Sequence, residues 1–262
     1  SGDGDWTDAR RYYIDHDTDD DLLASTLIES LGEVDMGDPS VLSDFLLWAE
    51  QNYPAERIAL SMWNHGDGWS VQGESPPPFI SWDMTDNGWM SFAAGHFNEA
   101  LDPWVAERGL VDIVGFDACS MASWEVAHTL RDRAEYMVGS ETVVGMDGFH
   151  YTEIIRALQA EPDMSTQAVA DLFAWSAGDY NEEWTFSVTD ISKIDALSQT
   201  IDALAASVLE DSELQTSLLD ARERARGADS TWQDYYLDLG DFADVLSDSD
   251  DAILSAHGDA IG

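Results

Sequence analysis

Lysine is almost missing from this chain: Lys193 is the only one, and ten arginines make up the rest of its basic side. Against these 11 basic residues stand 53 Asp and Glu, giving a formal net charge of −42. Such a surface repels the phosphates of nucleic acid and of anionic membranes, so neither is an expected partner. Its self-repulsion also opposes the compact state unless concentrated salt screens it, and a composition rich in Asp and poor in Lys is therefore read as salt adaptation. Cysteine is equally scarce. With Cys119 alone, an intramolecular disulfide is excluded and the redox compartment cannot be read from pairing. Apolar runs are far too short to span a bilayer, so membrane insertion is not expected. No signal peptide is visible either, and because Ser1 is no natural initiator the gene product is expected to begin upstream.

What is present argues for a folded protein. Hydrophobic residues make up 44% of the chain and there are 11 Trp, enough apolar surface to outweigh the charge. A length of 262 residues suits one substantial core with a smaller annex beside it. Arg10 to Ile14 reads as a short strand, followed by an acidic run from Asp15 to Asp21. That run lacks the glycine and closing glutamate of an EF-hand loop, so a solvated acidic loop is expected there, with a calcium requirement left open and no cofactor required. A helix is expected from Asp38-Pro39-Ser40, capped by Ser40 and stopped at Tyr53-Pro54. A buried strand follows at Ile58 to Trp63, then a loop with Pro76, Pro77 and Pro78, a short strand near Phe79 to Trp82 and a helix around Ser91 to Arg108. The pattern then repeats with a strongly apolar strand at Val111 to Phe116 and an amphipathic helix from Ala122 to Arg133. Further strands fit Tyr136 to Ser140 and Thr185 to Thr189; helices fit Tyr151 to Ala160, Thr166 to Asp179 and Ile191 to Leu209. This alternation predicts an α/β fold with a mostly parallel sheet flanked by helices, whose active groups gather at the carboxyl ends of strands. From Asp211 to Gly262 the chain is more helical and polar, with a late strand at YYLDL (235 to 239).

Two strands end in reactive residues. IALSMWNHGDGW places His65 just past the first, and VDIVGFDAC places Cys119 just past the second. If both strands lie in one parallel sheet, imidazole and thiol emerge at the same edge, where the imidazole can supply the thiolate that a nucleophile needs. His65 precedes Cys119 by 54 residues, close to the caspase-type separation of about 50. Taken singly, each residue is better read as structural; their joint placement reverses that. Asp117 stands two positions before Cys119 on the same strand face, roughly 6.8 Å away by the strand rise, and a carboxylate there favours a cationic substrate side chain.

Four stretches, LGEVDMGDPSVLSDFLLWAEQNYPAERIALSMWNHGDGW (31 to 69), GFDACSMASWEVAHTLRDRAEYMVGSE (115 to 141), DGFHY (147 to 151) and TFSVTDISK (185 to 193), together with YYLDLGDFA (235 to 243), closely resemble the clostripain family of cysteine peptidases. The resemblance implies a caspase-like fold, with a peptidase domain over 1–205 and a helical extension over 206–262 packed on it. It also implies that family members begin with a strand and helix upstream of Ser1. By the same resemblance His65 is the acid/base, Cys119 the nucleophile that forms a thioester, and the backbone N–H groups of Gly66 and Cys119 the oxyanion donors, preorganised for developing charge. Asp117 falls on the family's determinant for Arg or Lys before the scissile bond, and Asp147 on a second carboxylate of the same pocket. Several members mature by cleavage after a basic residue in the loop that follows the histidine; residues 66–107 contain no Lys or Arg, which leaves that route without a target.

The expected function is therefore an endopeptidase cleaving after Arg, or Arg and Lys, in polypeptide substrates with basic residues, secreted or at the cell surface of a halophilic microbe. The alternative is a catalytically silent acidic binding or surface protein on the same fold, with an inert thiol. A carboxylate glycosidase would need two acids flanking a sugar cleft and finds no distinct support.

Overall fold

The computed structural model describes residues 8–15, 24–69, 79–178, 185–225 and 236–262. Its order is β1 (Ala9–Tyr13), β2 (Thr26–Gly32), α1 (Pro39–Asn52), β3 (Ala59–Trp63), β4 (Ser81–Asp83), β5 (Gly88–Met90), α2 (His96–Arg108), β6 (Val111–Asp117), α3 (Trp124–Thr129), β7 (Ala134–Ser140), α4 (Tyr151–Ala160), α5 (Thr166–Gly178) and β8 (Phe186–Asp190). A 3-10 turn at Ile191–Lys193 then leads into α6 (Ile194–Leu209), α7 (Ser212–Arg224), α8 (Leu239–Ser247) and α9 (Ala252–Ile261).

The main sheet has the order β3-β6-β7-β8, with the first three strands parallel and β8 antiparallel to β7. Helical crossovers make those parallel pairings possible. Strand β6 lies inside the sheet and is buried along nearly its whole length, which is why VDIVGFD reads as an almost continuous apolar run. Its two faces serve two cores. Val114 and Phe116 pack with Leu46 of α1, Phe97 and Trp104 of α2 and Val126 of α3. On the opposite face Ile113, beside Val138 of β7, packs with Phe149, with Ile154 of α4 and with Phe173 of α5. A third cluster joins the second half of α6 to the C-terminal helices through Leu204, Val208, Leu214, Leu246 and Leu254. Helix α6 thus passes from the flank of the sheet into the C-terminal bundle.

Several local expectations differ in detail. Asp38, not Ser40, caps α1: its side chain accepts from the Ser40 amide at 2.8 Å, and Pro39 takes the first helical position, where a missing N–H is harmless. Strand β3 is an edge strand among the described residues, with Ala59 and Trp63 exposed, so the expectation of a buried strand is corrected. The helix expected from Ala122 to Arg133 is only six residues long. Ser123 caps it by accepting from the Val126 amide, Leu130 closes it, and Asp132 adopts a left-handed φ of 63° that ends any continuation. Of the late strand expected at 235 to 239, residue 235 lies outside the described residues and the rest holds a single bridge residue, Leu237, since Asp238 caps α8 by accepting from the Asp241 amide at 2.7 Å. Two short strands went unforeseen. β2 pairs with β1 in a hairpin that lays Arg11 over the Trp48 ring of α1 at 4.6 Å, and β5 pairs with β4. The triple-proline loop and nearly all of the acidic run lie outside the described residues.

Candidate active site

The parallel register of β3 and β6 sets Trp63 opposite Asp117. His65 and Cys119 each lie two residues beyond that pair, so one rung of the ladder projects both onto the same edge of the sheet. Beyond the strand, the His65 amide donates to its neighbour Asn64 Oδ1 at 2.7 Å, and the exposed imidazole lies 6.5 Å, centroid to centroid, from the Trp82 ring. The next residue decides how closely the loop can approach the thiol. A Cβ on Gly66 would stand 2.5 Å from the Cys119 carbonyl oxygen and 2.9 Å from Met121 Sδ. Only glycine allows the histidine loop to close on the cysteine turn at this distance.

The cysteine turn is fastened from the other side. Ser120 takes a left-handed φ of 58°, its amide donates to the Thr142 carbonyl at 3.0 Å, and the Ala122 amide donates to the Ser140 carbonyl at 3.0 Å. These bonds tie the turn to the end of β7. The half-buried Cys119 sulfur accepts from the Val144 amide at 3.3 Å.

Beneath the cysteine lies Asp117, 3% exposed. Its Oδ2 accepts from the Phe149 amide at 3.1 Å and from the Tyr151 hydroxyl at 2.9 Å. The Tyr151 oxygen is 2.9 Å from Ser61 Oγ, and since its one proton goes to Asp117, Ser61 donates to it. A chain of hydroxyls therefore runs from β3 through the start of α4 to the carboxylate of β6. The other carboxylate oxygen, Oδ1, is buried with no partner among the described residues. Burial pushes the Asp117 carboxyl above its ordinary 3.8, outweighing the downward pull of the Phe149 amide and Tyr151 hydroxyl. Gly148 closes over this oxygen with φ 53°, and a Cβ there would fall 2.1 Å from Oδ1. Asp147, next to it, is exposed in the same turn. The site therefore unites Gly66 with the Cys119 turn and places Asp117 beneath that turn, while Asp147 stands at the rim of the loop over Asp117. Sequence reasoning missed Tyr151, Ser61 and Gly148. The first and last lie inside DGFHY, a segment quoted for its likeness, but nothing local announced that its tyrosine reaches the strand carboxylate.

A histidine and a thiol at the ends of adjoining parallel strands, in an α/β sheet flanked by helices, define a caspase-like fold. The clostripain family model matches residues 12–259. The chain belongs to the clostripain family. It is 31% identical to clostripain from Hathewaya histolytica over 169 residues, 60% of this chain and 32% of that protein. Among solved structures, a secreted C11 cysteine protease from Bacteroides thetaiotaomicron in complex with an irreversible peptide inhibitor is 25% identical, with a TM-score of 0.62 over 94% of this chain and 66% of that one. The inactive zymogen of a C11 protease from Parabacteroides distasonis shares the fold at 18% identity, with a TM-score of 0.64 over 97% of this chain and 66% of that one. The chain thus spans about a third of the curated relative and just under two thirds of these structural neighbours.

Proposed function

We propose that this protein is a cysteine endopeptidase cleaving after Arg, or Arg and Lys. The observation that carries the reading is the closure of the Gly66 loop on the Cys119 carbonyl, just beyond the carboxyl ends of the paired strands β3 and β6. His65 takes the thiol proton, Cys119 Sγ attacks the scissile carbonyl carbon, and the oxyanion is held by the N–H groups of Gly66 and Cys119. His65 then returns the proton to the leaving amine. A thioester remains, and water, activated by the same imidazole, hydrolyses it. The substrate guanidinium is the partner this reading gives to Asp117 Oδ1, which it reaches once the Gly148 turn over that oxygen moves aside, with Asp147 as a second carboxylate at the rim. The chemistry needs no cofactor. Residues 1–205 act as the peptidase unit and 206–262 as its helical extension. The absence of Lys and Arg from residues 66–107 argues against self-cleavage in that loop, and Arg108 beyond it is anchored to Glu50 at 3.2 Å and to the Ala55 carbonyl at 2.6 Å. Secretion into a saline setting suits the charge, and among the described residues no helix is long and apolar enough to cross a membrane.

Turnover of a fluorogenic peptide ending in Arg tests the dyad. Cys119→Ala should abolish it and His65→Ala should lower it by about three orders of magnitude or more, since removing one member disables the unit. Rapid alkylation of Cys119 by an Arg-terminated peptide electrophile would exclude the silent binding protein. Wild-type-like rates in either variant would remove the assignment.

A further inference from the structure

The histidine loop is wrapped around a single phenol oxygen from the far end of the chain. The Tyr236 hydroxyl donates to the Asp67 carbonyl at 2.9 Å and accepts from the Trp69 amide at 2.7 Å, across separations of 169 and 167 residues. Between these two contacts Gly68 has φ 66°, and a Cβ there would stand 2.1 Å from the Tyr236 oxygen and 2.7 Å from the Ser120 carbonyl oxygen. The loop is thus sandwiched between the cysteine turn and the tyrosine, with glycine at both points of contact. Tyr236 is itself held firmly. Two residues later Asp238 caps α8, and α8 packs through Leu246 onto α6 and α9. Its ring lines a cavity shared with Trp124, Leu204 and Phe242, at the seam between α3 and the C-terminal helices.

We propose that Tyr236 is a positioning residue of the active site, through which the C-terminal segment holds residues 66–69 so that the Gly66 amide and the His65 imidazole face Cys119. The inference rests on the reading that His65 and Cys119 perform the chemistry. A backbone carbonyl and an amide two residues apart are both satisfied by one hydroxyl only if the chain curls around it. The curl fixes the direction in which the Gly66 N–H points. A water molecule in the same place would satisfy both groups without resisting displacement of the loop. Displacements of about 1 Å in a catalytic constellation can cost on the order of 100-fold in rate.

Tyr236→Phe keeps the ring and removes only the hydroxyl. Its kinetics should be read per active site, counted by titrating Cys119 with an Arg-terminated peptide electrophile, so that any loss of folded protein is divided out. The expected result is a kcat lowered by about 10- to 100-fold, the scale of a misplaced catalytic loop, with the inhibition constant of benzamidine, an arginine-like cation for Asp117, unchanged within about twofold. A loop-positioning role predicts this split, whereas general loosening of the fold would weaken benzamidine as well. A kcat within about twofold of wild type, or a loss shared equally between kcat and benzamidine affinity, would overturn the proposal. His65→Ala in the same assay separates the two levels: if that variant retains turnover the dyad reading fails, whereas an inert His65→Ala beside an unaffected Tyr236→Phe removes only the role of the tyrosine.

Discussion

Asp117 is unfavourable for stability, and the proposed function gives it the compensating task of recognising a cationic side chain. A buried carboxylate with one unpartnered oxygen is a liability to the free protein, and burial accordingly raises its pKa above 3.8. For an acid raised in the folded state the native protein binds more protons than the unfolded chain between the two pKa values. Stability therefore falls as pH rises through that window, and the penalty is fully present above the raised pKa. Asp117→Asn removes the charge, leaves an oxygen to accept from the Phe149 amide and Tyr151 hydroxyl, and replaces the orphaned oxygen with a neutral amide donor. Its melting temperature at neutral pH should equal or exceed that of wild type, while kcat/KM for Arg substrates falls by about 100-fold, the scale of a charge-assisted pair lost in a partly dry pocket. Thermal unfolding and peptide kinetics on the same preparation check both halves, and a large drop in melting temperature or an unchanged Arg preference would count against the assignment.

At the scale of elements, what was legible in the sequence followed periodicity, and what was missed followed local hydrogen bonds. β6 announced itself because a strand buried on both faces must be apolar throughout, and its carboxyl end located Cys119. The parallel pairing of β3 with β6, and so the emergence of residues 65 and 119 beyond the same edge of the sheet, was inferable because alternating strands and helices favour parallel neighbours. Register was not written in either strand alone, and neither was the reach of Tyr151 or Tyr236 across the fold. The cap of α1 was misjudged for a simpler reason, since Asp38 and Ser40 both suit an N-cap and Pro39 decides between them by occupying the first turn. Asp38→Ala should therefore destabilise the protein by about 1 kcal/mol, whereas Ser40→Ala should change it by less than about half that. Urea unfolding monitored by tryptophan fluorescence distinguishes the two, and equal effects would return the cap to Ser40.

For the whole molecule, charge dominates. Arg10, Arg11, Arg108, Arg131, Arg133 and Arg156 already sit in ion pairs with carboxylates, so little positive charge is left to balance 53 acidic residues. Exposed pairs of this kind add little individually. The remaining repulsion is expected to yield to screening: the melting temperature should climb steeply between dilute buffer and about 1 M salt, where the Debye length shrinks to about 3 Å. Activity should track the fraction of Cys119 that can be titrated, while KM for basic peptides rises somewhat as long-range attraction is screened. A melting temperature that stays flat or falls as salt rises would overturn the reading of salt adaptation and leave the peptidase assignment standing. The bond between Tyr236 and the histidine loop adds a matter of timing. His65 and Cys119 leave the ribosome long before residue 236, so a nascent chain carries both reactive groups while its loop still lacks the hydroxyl that orients it. On the proposed reading, proteolytic competence would wait until residue 236 has been made and has docked, so that a chain still too short to reach the histidine loop would be spared from digesting its neighbours or itself.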